Sequence, residues 1–251
     1  MRLKRIRIFS DYLMFNLLGR GLIAATIAVA ALVTLVLSII GPSLLSGSFG
    51  GGLSALIALT GFFGLFAGIL ASKIADEISE GTAAIYLAQP LTRTEFIVSW
   101  IIAGPVSFTL VYLLSVVTPI LVFAPSSILN PGVGISIATS TLQVVYYAML
   151  GLVFALLTRH RGVSVFVLLL YIFIAPIVVL SLLALAITPF RGPTTLVAAE
   201  AYYIASIFDP VMSLFAPRTI PISPLYGLTV ASIATIILIF SSWFLVKRLE
   251  V

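Results

Sequence analysis

Read only as apolar and polar positions, the chain is a series of long apolar runs with short polar interruptions. A bilayer core takes about 20 residues of helix. Six runs meet that length: Gly21–Ile40, Leu53–Ser72, Ile97–Phe123, Ser136–Thr158, Val163–Ile187 and Tyr226–Val246. Residues 1–20 differ. There Arg2, Lys4, Arg5 and Arg7 alternate with Leu3, Ile6, Ile8 and Phe9, the pattern of an amphipathic helix lying in a membrane interface. Gly61, Gly64, Gly68 and Ala71 share one face of the second span. Such a stripe lets another helix approach closely, from the same chain or from a second copy. Gly104-Pro105, Pro119 and Pro176 predict kinks. The pattern predicts an all-α membrane protein built as one domain over residues 1–251. Its parts are an interfacial helix (1–20), spans one and two (21–72), a polar segment (73–96), spans three to five (97–187), an outer segment (188–225), and span six with its tail (226–251).

The polar segment Lys73–Phe96 carries Asp76, Glu77, Glu80 and Glu95, four of the eight acidic residues. Its first half predicts a helix with Asp76, Glu77 and Glu80 in its early turns, where the helix dipole favours negative charge. Gly81 permits a sharp change of direction, since it has no Cβ to clash at positive φ. A second short helix then fits Thr82–Ala88, with Ile85 and Leu87 as its apolar contacts. Pro90 stops it, because proline lacks the N–H and restricts the residue before it. Thr92 predicts an N-cap for the next helix, with Glu95 as its capping-box partner.

The outer segment 188–225 is too apolar for a solvated loop and too broken by proline for a span. Its middle, Thr195–Phe215, predicts short re-entrant helices, since irregular backbone at membrane depth survives only when buried by protein or lining a wet cavity. Glu200 and Asp209 within it either cap those helices or line an exit path.

Composition and charge then set the orientation. The chain is 61% hydrophobic and 8% charged, against about 25% charged in a soluble domain. The net charge of +5 sits at span ends, so it reads as a topology signal and not as a nucleic-acid footprint. Eleven of the thirteen Lys and Arg fall in the two termini, the 73–96 segment and the turn 159–162; Arg191 and Arg218 are the other two. The positive-inside rule therefore places both termini and the polar segment in the cytoplasm of a multi-pass plasma-membrane protein, with Arg159 and Arg161 as anchors.

The same inventory narrows the chemistry. There is no cysteine, hence no thiolate metal site, and His160 is the only histidine, so no metal centre is expected. No Asp, Glu, Lys, Arg or His lies inside any of the six runs. Proton-driven carriers and intramembrane enzymes need titratable groups at depth. The chain contains no Gly-Lys dipeptide and so no phosphate-cradling P-loop. No catalytic residue is assigned, and energy for uphill movement would have to arrive from another polypeptide.

Glu77, Glu80-Gly81-Thr82, Leu87, Pro90, Arg93 and Glu95 together resemble the signature of the membrane subunits of type-2 ATP-binding-cassette exporters. The six-span layout, the basic amphipathic start and the long outer segment extend the resemblance along the chain. It implies a non-catalytic half-transporter permease that pairs with a second copy or a relative. Each half would dock on a cytoplasmic ATPase subunit, which would hold ATP and Mg while this chain binds no cofactor. The stretch from Asp76 to Glu95 would be the coupling element, residues 1–20 the connecting helix and Thr195–Phe215 the outer cap. One departure stands out: the family often has a lysine where this chain has Trp100. Two other readings stay open on the residues, an ion-coupled secondary carrier and a non-translocating scaffold or immunity protein. The substrate is not written in the sequence.

Overall fold

The computed structural model describes residues 3–14, 60–61, 63–88, 91–123, 125, 131–174 and 224–248. These form helices α1 (residues 3–14), α2 (60–61 and 63–71), α3 (Ile74–Ser79), α4 (Thr82–Ala88), α5 (Arg93–Ile101), α6 (Ser107–Phe123), α7 (Pro131–Thr158), α8 (Arg161–Leu169) and α9 (Pro224–Lys247). Two π-helical segments, Ile102–Val106 and Leu170–Ile174, join α5 to α6 and extend α8. No strand occurs among the described residues. Among the described residues, three helical stretches are long and apolar enough to cross a membrane: Arg93–Thr118, Val133–Thr158 and Leu225–Lys247. The first span, the start of the second, the later half of the fifth with Pro176, and residues 188–223 with Glu200 and Asp209 lie outside the described residues, as does Pro90.

The sequence dictates the irregularity at Ile102–Val106. Pro105 has no N–H to give the carbonyl four residues back, and its ring crowds that position. The helix widens to a π turn around it. Ser107 donates its hydroxyl to the Ile102 carbonyl at 2.9 Å, and Thr109 to that of Pro105 at 2.6 Å. The Ile102 oxygen also accepts the Ser107 amide, so the Ser107 hydroxyl adds a second bond to a carbonyl that the π turn already uses. The expected kink site at Gly104-Pro105 is thus a π segment, while Pro119 sits within α6.

α7 is the centre of the bundle. Its apolar window is 67% buried, against 44% for the α5–α6 stretch and 22% for α9. Each core cluster draws on it: Val144 and Ala148 with Phe63, Phe108 and Tyr112; Met149, Leu152 and Ala155 with Phe96 and Trp100; Tyr146, Tyr147 and Leu150 with Leu168. α7 begins at Pro131, a turn before the expected Ser136; proline at a first helical position gives up an N–H that would be unpaired anyway.

The small-residue face of α2 meets α7 within the chain. A Cβ on Gly64 would fall on the Tyr147 ring, and one on Gly68 against Leu168 and the Tyr147 carbonyl oxygen. Opposite lies Gly151, where a Cβ would stand 2.3 Å from the Gly68 carbonyl oxygen. A Cβ on Gly61 would meet nothing within 4 Å. The helices also share a buried hydroxyl pair across α2 and α6, Thr60 with Tyr112 at 2.8 Å.

Candidate functional site

All nine described basic side chains gather at one end of this bundle, where α1, α3, α4, the start of α5, the α7–α8 turn and the end of α9 meet. The hairpin α3–α4 is its most elaborate part. Ile74 and Ala75 anchor α3 in the core. Gly81, at φ +77°, turns the chain; a residue with a Cβ would be strained there by about 1–2 kcal/mol. Two contacts then fix the angle between the helices. Thr82 Oγ1 lies 2.9 Å from the Glu77 carbonyl oxygen and makes a short contact with Glu77 Oε2. The hydroxyl has one proton, and the carboxylate is the stronger acceptor.

α4 turns Ala83, Tyr86 and Leu87 toward the body of the protein. Their spacing at i, i+3 and i+4 puts them on one face. Ile85 falls on the opposite face and is 61% exposed. This corrects the expectation that Ile85 and Leu87 are both internal contacts: Leu87 packs and Ile85 projects. Beside it, Ala84, Leu87, Ala88, Leu91, Thr92 and Arg93 line a depression of about 410 Å³.

The capping box at the start of α5 is complete. Thr92 Oγ1 accepts from the Glu95 amide at 3.2 Å, and Glu95 Oε2 accepts from the Thr92 amide at 2.8 Å. Glu95 is buried, so its carboxylate serves this cap from inside. Thr92→Ala removes one half of the box; thermal unfolding in detergent should register a loss of about 1 kcal/mol. Trp100, one helical face further along, is fully buried against Phe96, so an indole fills this position of the core.

Three ties hold the end together. Arg161 Nη1 donates to Asp76 Oδ2 at 3.1 Å, joining α8 to α3. Arg93 Nη1 donates to the Lys247 carbonyl at 2.6 Å, joining α5 to α9. α1 lies across α4 and α5, with the Phe9 ring 5.1 Å from that of Tyr86 and 5.9 Å from that of Phe96. Leu13 is buried beneath it. The sequence reading treated Arg161 as an anchor and missed its pairing with Asp76, because nothing in spacing links positions so far apart. It also missed Gly151, although Gly151 and Ala155 form a small-residue step on α7 that the same search would have found. Glu80 is exposed at the tip of the hairpin. Among the described residues, no group of three or more His, Cys, Asp or Glu is placed to hold a metal ion.

Tyr86 links α1 to the hairpin electrically as well. Its phenol is pushed up from the usual value near 10, first by burial, then by its hydrogen bond with Tyr12 and by the Glu77 carboxylate. A raised folded-state value means the neutral form is the one the fold prefers. The associated stability is fully present below pH 10 and is lost as pH rises above it. The unfolding midpoint of the native chain should therefore fall more steeply above pH 10 than that of Tyr86→Phe; parallel curves would show that Tyr86 is not involved.

The class of protein thus defined is an all-helical chain with helices fit to span a membrane and one elaborated polar end. No family model matches the chain, and no curated protein matches it.

Proposed function

We propose that this chain is the membrane-spanning permease subunit of an ATP-driven exporter of the type-2 ATP-binding-cassette kind, with both termini and the polar end in the cytoplasm. A separate cytoplasmic ATPase binds ATP and Mg, and the α3–α4 hairpin with the α5 cap receives its movement. A second permease copy or a relative completes the transporter, and nucleic acid plays no part.

The observation that carries this reading is the build of the hairpin. A docking knuckle needs an exposed apolar tooth on a frame that does not yield. Ile85 is the tooth, and the 410 Å³ depression beside Leu87 and Arg93 is the adjoining seat. Gly81 with Glu77–Thr82 sets the frame's angle. Asp76–Arg161 and the buried face of α3 pass a push on to α7 and α8. Ile85 supports the reading through its place, on a polar hairpin beside an open depression, rather than through its exposure alone.

The test is assembly. The full chain, co-expressed with candidate P-loop ATPase subunits from the same genome, should co-purify with one of them. Ile85→Glu should abolish co-purification while leaving the unfolding midpoint of the permease unchanged. Solute movement by the purified chain alone under an ion gradient would favour a secondary carrier. Absence of any ATPase association would favour a scaffold.

A further inference from the structure

α9 is only 22% buried over its span-length window. Its outer face is one continuous apolar stripe. Ile233, Ile236, Ile237, Phe240 and Phe244 are each about half exposed or more, and their 3–4-residue spacing keeps them at one azimuth. The stripe runs into the polar end and finishes in charge. Lys247 falls on the same azimuth, and Arg248 follows it. The Lys247 ammonium lies 3.5 Å from the centre of the Trp243 ring, and the Arg248 guanidinium 4.3 Å from that of Phe244. A third cation is brought to the same place: Arg93, exposed at the start of α5, is held there by its bond to the Lys247 carbonyl. None of these three is in an ion pair with another described residue. The nearby Glu95 carboxylate is buried in its own cap.

We propose that the junction of α9 with α5 is a binding site for one anionic phospholipid of the adjoining leaflet. Its phosphate sits among Arg93, Lys247 and Arg248, and its acyl chains lie along the apolar stripe of α9. Charge complementarity selects an anionic headgroup. The unbroken stripe beneath it selects a lipid over a free phosphate, since only a lipid places hydrocarbon and phosphate in that vertical order. The aromatic rings fit the arrangement: Trp243 and Phe244 lie one turn below the cations, at headgroup depth. The inference needs the helices to lie in a membrane and does not depend on the proposed ATPase partner.

The experiment uses the purified full chain and native mass spectrometry with thermal unfolding. The probes are phosphatidylglycerol, phosphatidylcholine and inorganic phosphate at matched concentration. Phosphatidylglycerol should bind as a discrete adduct and raise the unfolding midpoint, while phosphatidylcholine and inorganic phosphate should not. Arg93→Gln/Lys247→Gln/Arg248→Gln should weaken that binding by at least about tenfold, on the scale of about fivefold per cation at a membrane surface. Removing the same charge from α1, as Lys4→Gln/Arg5→Gln/Arg7→Gln, should leave the adduct in place. Equal losses in the two triple variants, or the same shift with inorganic phosphate alone, overturn the proposal. Should the junction variant unfold, Lys247→Gln/Arg248→Gln, which keeps the Arg93 bond to the backbone carbonyl, decides by the same readout. Loss of ATPase association with lipid binding intact would count against the functional proposal alone.

Discussion

Replacing Gly151 by alanine should destabilise the bundle by about 3 kcal/mol, at the upper end of the usual cost of overpacking. The reason is what the new methyl group meets. It would stand 2.3 Å from the Gly68 carbonyl oxygen and 2.7 Å from the Gly68 carbonyl carbon and Cα. All three are backbone atoms in a helix and cannot rotate away, so α2 and α7 must separate along the seam. Dispersion contacts on both sides are then lost together, and in a membrane packing of this kind is a main source of helix association. The same substitution at the other three glycines calibrates the claim. Gly68→Ala meets the mobile Leu168 side chain at 2.4 Å but also the Tyr147 carbonyl oxygen at 2.9 Å, so a smaller loss is expected. Gly64→Ala meets only the Tyr147 side chain, whose ring can swing at lower cost. Gly61→Ala meets nothing and should be neutral, or stabilising by up to about 1 kcal/mol from helix propensity. Thermal unfolding of the four variants in detergent should give that order. A Gly61→Ala loss as large as that of Gly151→Ala would remove the seam from the explanation.

How far the sequence reveals this arrangement depends on how local the physics is. The capping box needs only Thr92 and Glu95 three positions apart, and it stands in the structure as read. The hairpin turn needs only a residue free of Cβ, and Gly81 takes the positive φ. Helix α4 spans the residues predicted for it, Thr82–Ala88. The face of α4 was misjudged at Ile85, because a seven-residue helix offers too few turns to define an inside without knowing what it packs on. That knowledge lies far off in the chain, in Phe9, Phe96 and Leu13. The same distance hid Asp76–Arg161 and the Arg93 bond to the Lys247 carbonyl, which join elements 85 and 154 positions apart. Proline marked the disturbance near Pro105 correctly, yet that the helix widens there is visible only in the structure, where the Ser107 amide reaches back to the Ile102 carbonyl. Arg159 shows the limit from the other side. It takes φ 55° at the end of α7, a place where glycine or asparagine is the usual choice, and nothing in the basic run around it announces that conformation.

Under the proposed function, Glu77→Ala should leave the ATPase bound and lower ATP-driven transport about tenfold, within the 1–3 kcal/mol usual for coupling between sites. The carboxylate receives the Thr82 hydroxyl and so fixes α4 against α3. Without it the hairpin keeps Gly81 and its buried residues, but the angle between the two short helices is set by the weaker Thr82–carbonyl contact alone. A push delivered at Ile85 is then spent in bending the hairpin before it reaches Asp76 and Arg161. Glu77→Gln separates geometry from charge: the amide oxygen still accepts from Thr82, so most of the coupling should return. Thr82→Ala removes this contact and the carbonyl contact together, so it should be at least as severe as Glu77→Ala, and the double variant should be no worse than Thr82→Ala alone, as a shared contact requires. Gly81→Val attacks the frame differently. An added Cβ meets nothing within 4 Å, so backbone strain at positive φ is the leading effect, and Gly81→Asn, which tolerates that region, should be milder. The readouts are ATPase rate and transport in the reconstituted complex, with co-purification as the control for docking. Full coupling in both Glu77→Ala and Gly81→Val would mean the hairpin's shape carries no force.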